Sequence, residues 1–276
     1  MKIKDLLIRA VSILEENSAD EAELNAQHLV SRACGFERKY LFLNLEKEVS
    51  QKEIKKTNIF LSLKIKGYPL SWILKDHDFC GLKIKIRPGV FVPRPETEEL
   101  ACIVSKESLK MKNPKILDFC CGSGCIGLYS AYKNLKSFVY AFDISAKAVS
   151  CSNENAKLLG LKNYKAQKKS RLSSLEKFDI LVSNPPYIPS SLIKSLDHEV
   201  RIEPKKALDG GSDGLDMIRY IEKKAFLILK KGGKIYLEFS DGQAKEIKKM
   251  FEKRYRKVKI IKDLQGKERF LEAYNG

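Results

Sequence analysis

One stretch narrows the folds open to this chain more than any other. Lys115-Ile116-Leu117-Asp118-Phe119 is a short apolar run that reads as a buried strand, and Cys120-Cys121-Gly122-Ser123-Gly124 follows it as a tight loop. Cys125-Ile126-Gly127-Leu128 opens a helix, and Val139-Tyr140-Ala141-Phe142 is a second strand that ends at Asp143. Strand, glycine-bearing loop, helix, strand is the start of a Rossmann-like α/β fold, in which a parallel sheet is covered by helices on both faces. The glycines let the backbone come close to a ligand. Gly122-x-Gly124-x-x-Gly127 has the spacing of a dinucleotide fingerprint, which alone is weak evidence. Asp143 stands 25 residues after Asp118, near the separation at which a nucleotide-site acid accepts from both ribose hydroxyls.

A second constellation falls where such folds keep their ligands. Phe178-Asp179-Ile180-Leu181-Val182-Ser183 reads as another buried parallel strand, and Asn184-Pro185-Pro186-Tyr187 follows at its carboxyl end. Two prolines stiffen the backbone and remove two donors, so their carbonyls stay free. A carboxamide, a rigid carbonyl and an aromatic ring around one spot suit a planar group bearing an NH2, such as an amide or the exocyclic amine of a base. A plain proline turn after a strand is the alternative for the tetrapeptide alone.

The rest of the chain alternates in the same manner. Helices are expected over Ala146–Leu159, Asp216–Leu229 and about 243–253, and strands over Lys234–Phe239 and near 258–261 and 268–273. Residues 1–74 read instead as a helical domain. Ile3, Leu6, Leu7, Ala10, Ile13 and Leu14 recur at helical spacing, and a second helix after Ser18 has Ala22, Leu24, Ala26, Leu29 and Val30 on its apolar side. Ser50-Gln51-Lys52-Glu53 fits a capping box for a third helix, closed by Gly67 and stopped by Pro69. Over residues 75–95, Leu82–Ile86 and Val90–Val92 alternate about Pro88-Gly89, which predicts a β-hairpin linker. In Pro93-Arg94-Pro95-Glu96-Thr97-Glu98 the prolines hold the chain stiff on both sides of Arg94, ahead of a helix carrying Leu100, Ala101 and Val104.

Lysine and arginine exceed aspartate and glutamate by 17, which fits an acidic partner such as nucleic acid or a ribonucleoprotein, or equally a lysine-rich solvated surface. The charged start has no apolar h-region, and no apolar stretch is long enough to span a bilayer. The seven cysteines lack a disulfide-scaffold spacing and are expected as reduced thiols in the cytoplasm. Cys120, Cys121 and Cys125 have no nearby His and no zinc spacing, so no metal is expected.

Together these segments resemble the class I S-adenosylmethionine methyltransferases, and more closely the HemK/PrmC family of protein-(glutamine-N5) methyltransferases that modify peptide chain release factors. The resemblance rests on the Pro93–Glu98 segment, on Asp118–Gly127, on Asn184-Pro185-Pro186-Tyr187-Ile188, and on Glu203-Pro204 followed by Gly210-Gly211-Ser212-Asp213-Gly214. It implies a class I methyltransferase sheet behind a helical domain that docks the substrate. S-adenosylmethionine would lie against Asp118, Cys120, Cys121, Gly122, Ser123, Gly124 and Asp143, with Leu172 on the adenine and Asn184 near the methyl group. The acceptor would be the Gln of the release factor's Gly-Gly-Gln loop, bound at Asn184, Pro185, Pro186 and Tyr187. Such a protein is expected to work as a cytoplasmic monomer, with its basic surface open to ribosome or RNA contact. The chain departs from the family in Lys168-Lys169-Ser170-Arg171-Leu172, where an acid near the adenine is usual. An adenine-amino DNA or RNA methyltransferase remains a rival, because a flipped base also presents an NH2. Glutamine methylation of a ribosomal protein and a non-catalytic cofactor-binding module are further alternatives.

Overall fold

Ile3, Leu6, Ala10 and Leu14 fall on one face of helix α1 (Ile3–Glu16), and all four are buried. The computed structural model describes residues 1–172 and 176–276. Their contacts divide the chain into two units, Met1–Lys75 with His198–Ile202, and Asp76–Asp197 with Glu203–Gly276. In the first unit α1 joins α2 (Ala22–Ala33), α3 (Gln51–Ile65) and α4 (Leu70–Leu74) around a cluster that includes Leu6, Leu29, Val30, Leu41, Leu61 and Ile73.

Local chemistry sets the ends of these helices. The Ser50 N–H donates to Glu53 Oε2 at 2.7 Å and the Glu53 N–H to Ser50 Oγ at 3.3 Å, which completes the expected capping box. Gly67 closes α3 with φ of +77°, where a side chain would be strained and would collide with the His198 ring. Two expectations need correction. Ser18 and Glu21 adopt positive φ, so α2 begins only at Ala22. Leu24 lies on the exposed side of α2. Pro69 does lie beyond the end of α3, and it also precedes a further short helix, α4.

The second unit opens with a hairpin, but not the one expected. Its strands are β1 (Asp76–Phe79) and β2 (Leu82–Lys85), joined through Cys80 and Gly81 with φ of 49° and 78°. Two positive φ values in a row give a two-residue turn whose twist matches the strands. Pro88-Gly89 does turn the chain, with the Val90 N–H on Arg87 O, but Val90–Val92 is not a strand. The Val92 N–H is taken by Glu203 Oε2 at 2.8 Å instead.

The main elements then run α5 (Pro95–Ser108), β3 (Lys115–Phe119), α6 (Cys125–Lys133), β4 (Phe138–Asp143), α7 (Ala146–Leu158), β5 (Tyr164–Lys168), β6 (Phe178–Ser183), α8 (His198–Arg201), α9 (Lys205–Leu208), α10 (Asp216–Ile228), β7 (Leu229–Glu238), α11 (Ala244–Phe251), β8 (Arg256–Lys262) and β9 (Glu268–Tyr274). The strands form one sheet in the order β5-β4-β3-β6-β7-β9-β8. β3 to β7 are mutually parallel, while β9 runs antiparallel to both neighbours. Ile116, Leu117, Ile180, Leu181 and Val182 are fully buried, as strands covered on both faces require.

Gly127 lets α6 lie close on the sheet. A Cβ there would stand 2.8 Å from Asp118 Oδ2, 2.9 Å from Tyr164 Cε2 and 3.0 Å from Val139 Cγ1, all on buried side chains. Gly127→Ala is therefore expected to lower unfolding stability by about 1–3 kcal/mol. Urea unfolding checks this, and an unchanged midpoint would mean that α6 shifts without cost.

Candidate functional site

Strand order reverses beside β3. From β3 the chain crosses to β4 on one side and later returns to β6 on the other, which opens a crevice at the carboxyl ends of these strands. The crevice has a volume of about 1030 Å³, open mouth included. One wall is the loop Cys120–Ser123 after β3 with the start of α6, and Phe142, Asp143, Ile144 and Ser145 after β4 continue it. Lys169 and Ser170 after β5 lie on the same side as the loop after β4, while Asn184 and Pro186 after β6 and Met217 of α10 close the far side. Val90, Phe91 and Pro93 come from the segment leading into α5, Thr97 from its first turn, and Pro204, Lys206 and Ala207 from around α9.

The loop after β3 is held by carboxylates. Cys120, Gly122 and Gly124 all take positive φ, and Cys120 does so against the preference of a side-chain-bearing residue. The Gly122 N–H donates to Asp143 Oδ2 at 2.9 Å, and Asp143 Oδ1 accepts from the Ser145 N–H at 2.8 Å. Burial raises the Asp143 carboxyl, and the N–H donors of Ser145, Gly122 and Ile144 oppose that rise. Asp118 lies beneath the loop with no exposed surface. Its Oδ2 accepts from the Gly127 N–H at 3.0 Å, while Oδ1 and the buried Ser123 Oγ have no hydrogen-bond partner among the described residues. Burial pushes the Asp118 carboxyl up to about 7 against that single N–H, with Asp143 adding to the rise. The Cys120, Cys121 and Cys125 thiols are also raised by burial, so they pack as neutral groups. Among the described residues, no group of three or more His, Cys, Asp or Glu could hold a metal ion, and no helix is long and apolar enough to cross a membrane.

Asn184 closes the other end of the crevice. Its Nδ2 donates to Glu238 Oε1 at 2.9 Å and to Thr97 Oγ1 at 3.1 Å. Thr97 Oγ1 in turn donates to Glu238 Oε2 at 2.9 Å, and the Tyr187 hydroxyl donates to Glu238 Oε1 at 3.3 Å. Both amide hydrogens of Asn184 are spent on these groups, so Oδ1 is the polar atom it has left for the crevice. Glu238 is 1% exposed, and burial pushes its carboxyl up to about 7 despite the Thr97 and Tyr187 donors.

The expected site residues thus fall into three groups. Cys120, Cys121, Gly122, Ser123, Asp143, Asn184 and Pro186 line the crevice together. Asp118, Gly124, Pro185 and Tyr187 lie just outside its lining, Asp118 and Tyr187 anchoring the two ends. Leu172 is not in the lining; it is buried in the cluster with Phe119, Phe142 and Leu215, and its N–H donates to the Tyr220 hydroxyl. The stretch that lacks the usual acid instead places Lys169 Nζ 4.3 Å over the Phe142 ring. Sequence reasoning missed Thr97, Glu238, Phe91, Phe142 and Met217 as members of the site. Thr97 belongs to the Pro93–Glu98 segment that carries the resemblance, but its residue type gives it no site role, and neither does that of Glu238 at the end of a strand. Arg94 ion-pairs with the buried Glu203, which also binds the Val92 N–H and so fixes this wall.

A seven-stranded sheet in this order, with an acid-held glycine loop at its switch point, is the fold of the class I S-adenosylmethionine-dependent methyltransferases. A methyltransferase from Pyrococcus furiosus shares it with a TM-score of 0.54 and 20% identity, covering 71% of this chain and 90% of that one. A T. thermophilus 16S rRNA methyltransferase solved with AdoMet and guanosine does so with a TM-score of 0.54 and 19% identity, covering 73% of this chain and 50% of that one. Residues 81–211 match the family model for the methyltransferase small domain, and residues 5–74 that for the PrmC N-terminal domain. The release factor glutamine methyltransferase of Clostridium botulinum is 34% identical over 99% of both chains. That of Clostridium acetobutylicum is 35% identical over 100% of this chain and 99% of its own. The chain belongs to the release factor glutamine methyltransferase family.

Raised carboxyls make the stability of the free protein pH-dependent in a definite sense. Asp118 and Glu238 titrate near 7 in the fold and near 4 when unfolded, so between these values the folded state holds more protons. Stability conferred by these groups is present below about pH 4 and is lost as pH rises towards 7. Asp118→Asn is expected to lose less stability than the parent between pH 5 and 7. Urea midpoints across that range check it, and parallel curves for the two proteins would refute it.

Proposed function

We propose that the protein transfers a methyl group from S-adenosylmethionine to the side-chain amide nitrogen of the Gln in the Gly-Gly-Gln loop of class 1 peptide chain release factors. The orientation of Asn184 carries this reading, since a carboxamide with its Nδ2 spent inside the protein presents an acceptor, which suits a substrate NH2. The full-length kinship with release factor glutamine methyltransferases supports the choice of an amide over a base.

The crevice suits the cofactor. S-adenosylmethionine carries a cationic sulfonium, an ammonium, a ribose diol and an apolar-faced adenine. Asp143 stands in the lining as the acceptor for the diol, and Asp118 with Ser123 Oγ supplies negative and unpartnered polar character below the loop. Phe142 and Ile144 offer apolar faces for the base. When bound, the cofactor supplies an electrophilic methyl group on a positively charged sulfur.

An amide nitrogen is a poor nucleophile because its lone pair is delocalised into the carbonyl. The protein gains rate by holding that nitrogen in line, through proximity and orientation. Asn184 Oδ1 and the Pro185 carbonyl accept hydrogen bonds from its two N–H groups and stabilise the positive charge that develops as the N–C bond forms, until one of those protons is lost to water. Tyr187, with its hydroxyl tied to Glu238, forms the wall behind the amide plane. The helical unit docks the release factor, and its exposed Tyr40, Phe42 and Leu43 support that role. We infer that the protein acts as a monomer in the cytoplasm, a reading supported by the described crevice lining falling within one unit. The excess of 17 positive charges suits contact with RNA of a termination complex.

Labelled S-adenosylmethionine offered with purified release factor and with duplex DNA in parallel tests the reading, the modified position being read by mass spectrometry. Label on the Gly-Gly-Gln glutamine is expected, and label on adenine would reassign the enzyme. Asn184→Ala should lower kcat about 100-fold with cofactor affinity little changed. Asp143→Ala should instead weaken cofactor binding, and calorimetry showing the parent's dissociation constant would remove Asp143 from the site.

A further inference from the structure

We propose that Glu238 and Thr97 are positioning residues that lock the Asn184 carboxamide in one orientation, with Oδ1 towards the crevice, and so make Asn184 solely an acceptor for the substrate's NH2. This rests on the function proposed above and adds to it the part of the protein that sets the polarity of the site.

The direction of every bond in the network follows from one fact. When Glu238 is ionised its carboxylate only accepts, so Thr97 then donates its single hydroxyl hydrogen to Glu238 Oε2. The Thr97 oxygen is then left as an acceptor, and the Asn184 group 3.1 Å away must be the NH2. The second Nδ2 hydrogen reaches Glu238 Oε1 at 2.9 Å, and the ring of three residues closes. A flipped Asn184 would set Oδ1 against a carboxylate oxygen and a hydroxyl lone pair, and would lose both bonds in a buried place. Without the pair, nothing in the bonds made by Asn184 would choose between its two orientations.

The placement is costly for stability alone. Glu238 ends β7 with 1% exposure, and its three donors, Thr97, Asn184 and Tyr187, are all neutral. A buried carboxylate without a cationic partner destabilises a fold relative to an apolar side chain of similar size. Arg269 on β9 lowers the Glu238 carboxyl and Glu96 on α5 raises it, but the Arg269 guanidinium is itself bound to Asp263 Oδ2 at 3.2 Å. Glu238 also sits beside Asn184 by register. Ser183 of β6 pairs with Leu237 of β7, and each of the two residues comes next on its strand.

The test compares the parent with Glu238→Gln, Thr97→Val and Thr97→Ser. Measured for each are kcat and KM for release factor, the dissociation constant for S-adenosylmethionine, the melting temperature and kcat against pH. The Asn184 side-chain NH2 signals, assigned by their loss in Asn184→Asp, give hydrogen-exchange rates on the free enzyme. Glu238→Gln and Thr97→Val should each lower kcat at least tenfold, leave the cofactor constant within twofold, and speed exchange of the Asn184 NH2 at least tenfold. Thr97→Ser, which keeps the hydroxyl, should restore both. In the parent, kcat should fall as pH drops below about 7, because a protonated Glu238 must itself donate. That limb should vanish in Glu238→Gln. Unchanged kcat and exchange in Glu238→Gln and Thr97→Val would overturn the proposal. So would a loss of kcat that merely tracks cofactor affinity and melting temperature. If the parent itself methylates no release factor, the proposed function fails, while NH2 exchange still decides whether Glu238 and Thr97 hold Asn184.

Discussion

Parallel strands cannot be joined by tight turns, so each step across the sheet needs a crossover, and crossovers have one hand. The chain leaves β3 towards β4 and β5, then comes back past β3 to β6 and β7. The crevice is the gap that this reversal leaves between two sets of connections. Register does the rest. Phe119 of β3 pairs with Ser183 of β6, and Ser183 with Leu237 of β7, so Cys120, Asn184 and Glu238 each come one residue later along the same carboxyl edge. Three residues far apart in the chain form one row because hydrogen-bonded strands cannot slip by less than a whole residue pair.

Buried carboxyls hold both ends of this row, and among the described residues neither forms an ion pair. Asp118 takes the Gly127 N–H and ties β3 to α6, while Glu238 takes three neutral donors and ties β7 to α5 and to the loop after β6. Desolvation raises both towards neutrality. Such groups weaken the free fold and favour it with a ligand bound, since a partner for Asp118 Oδ1 or Ser123 Oγ removes an unsatisfied polar atom.

Much of the fold could be read from the chain. The strands at 115–119 and 178–183 are legible as short, mostly apolar runs, and α1 and α3 by period and capping. The hairpin was placed about the wrong turn, because Pro88-Gly89 has stronger turn composition than Cys80-Gly81. What decided between them was the Glu203 carboxylate on the Val92 N–H, a partner over a hundred residues away. Strand β5 escaped notice because an edge strand is half solvated, and Lys165 and Lys168 are exposed. Leu172 is apolar enough to face either a ligand or the core, and only packing sent it to the core.

By itself the sequence determined the kinds of groups that would meet at the site: a glycine loop, an acid 25 residues after Asp118, and a carboxamide followed by two prolines. These are properties of short segments, set by backbone sterics and donor count. The tertiary structure alone decided that Thr97 and Glu238 complete the site and which way the Asn184 amide faces. An amide has two orientations of nearly equal shape, and the choice between them depends on donors and acceptors that arrive from distant strands and helices.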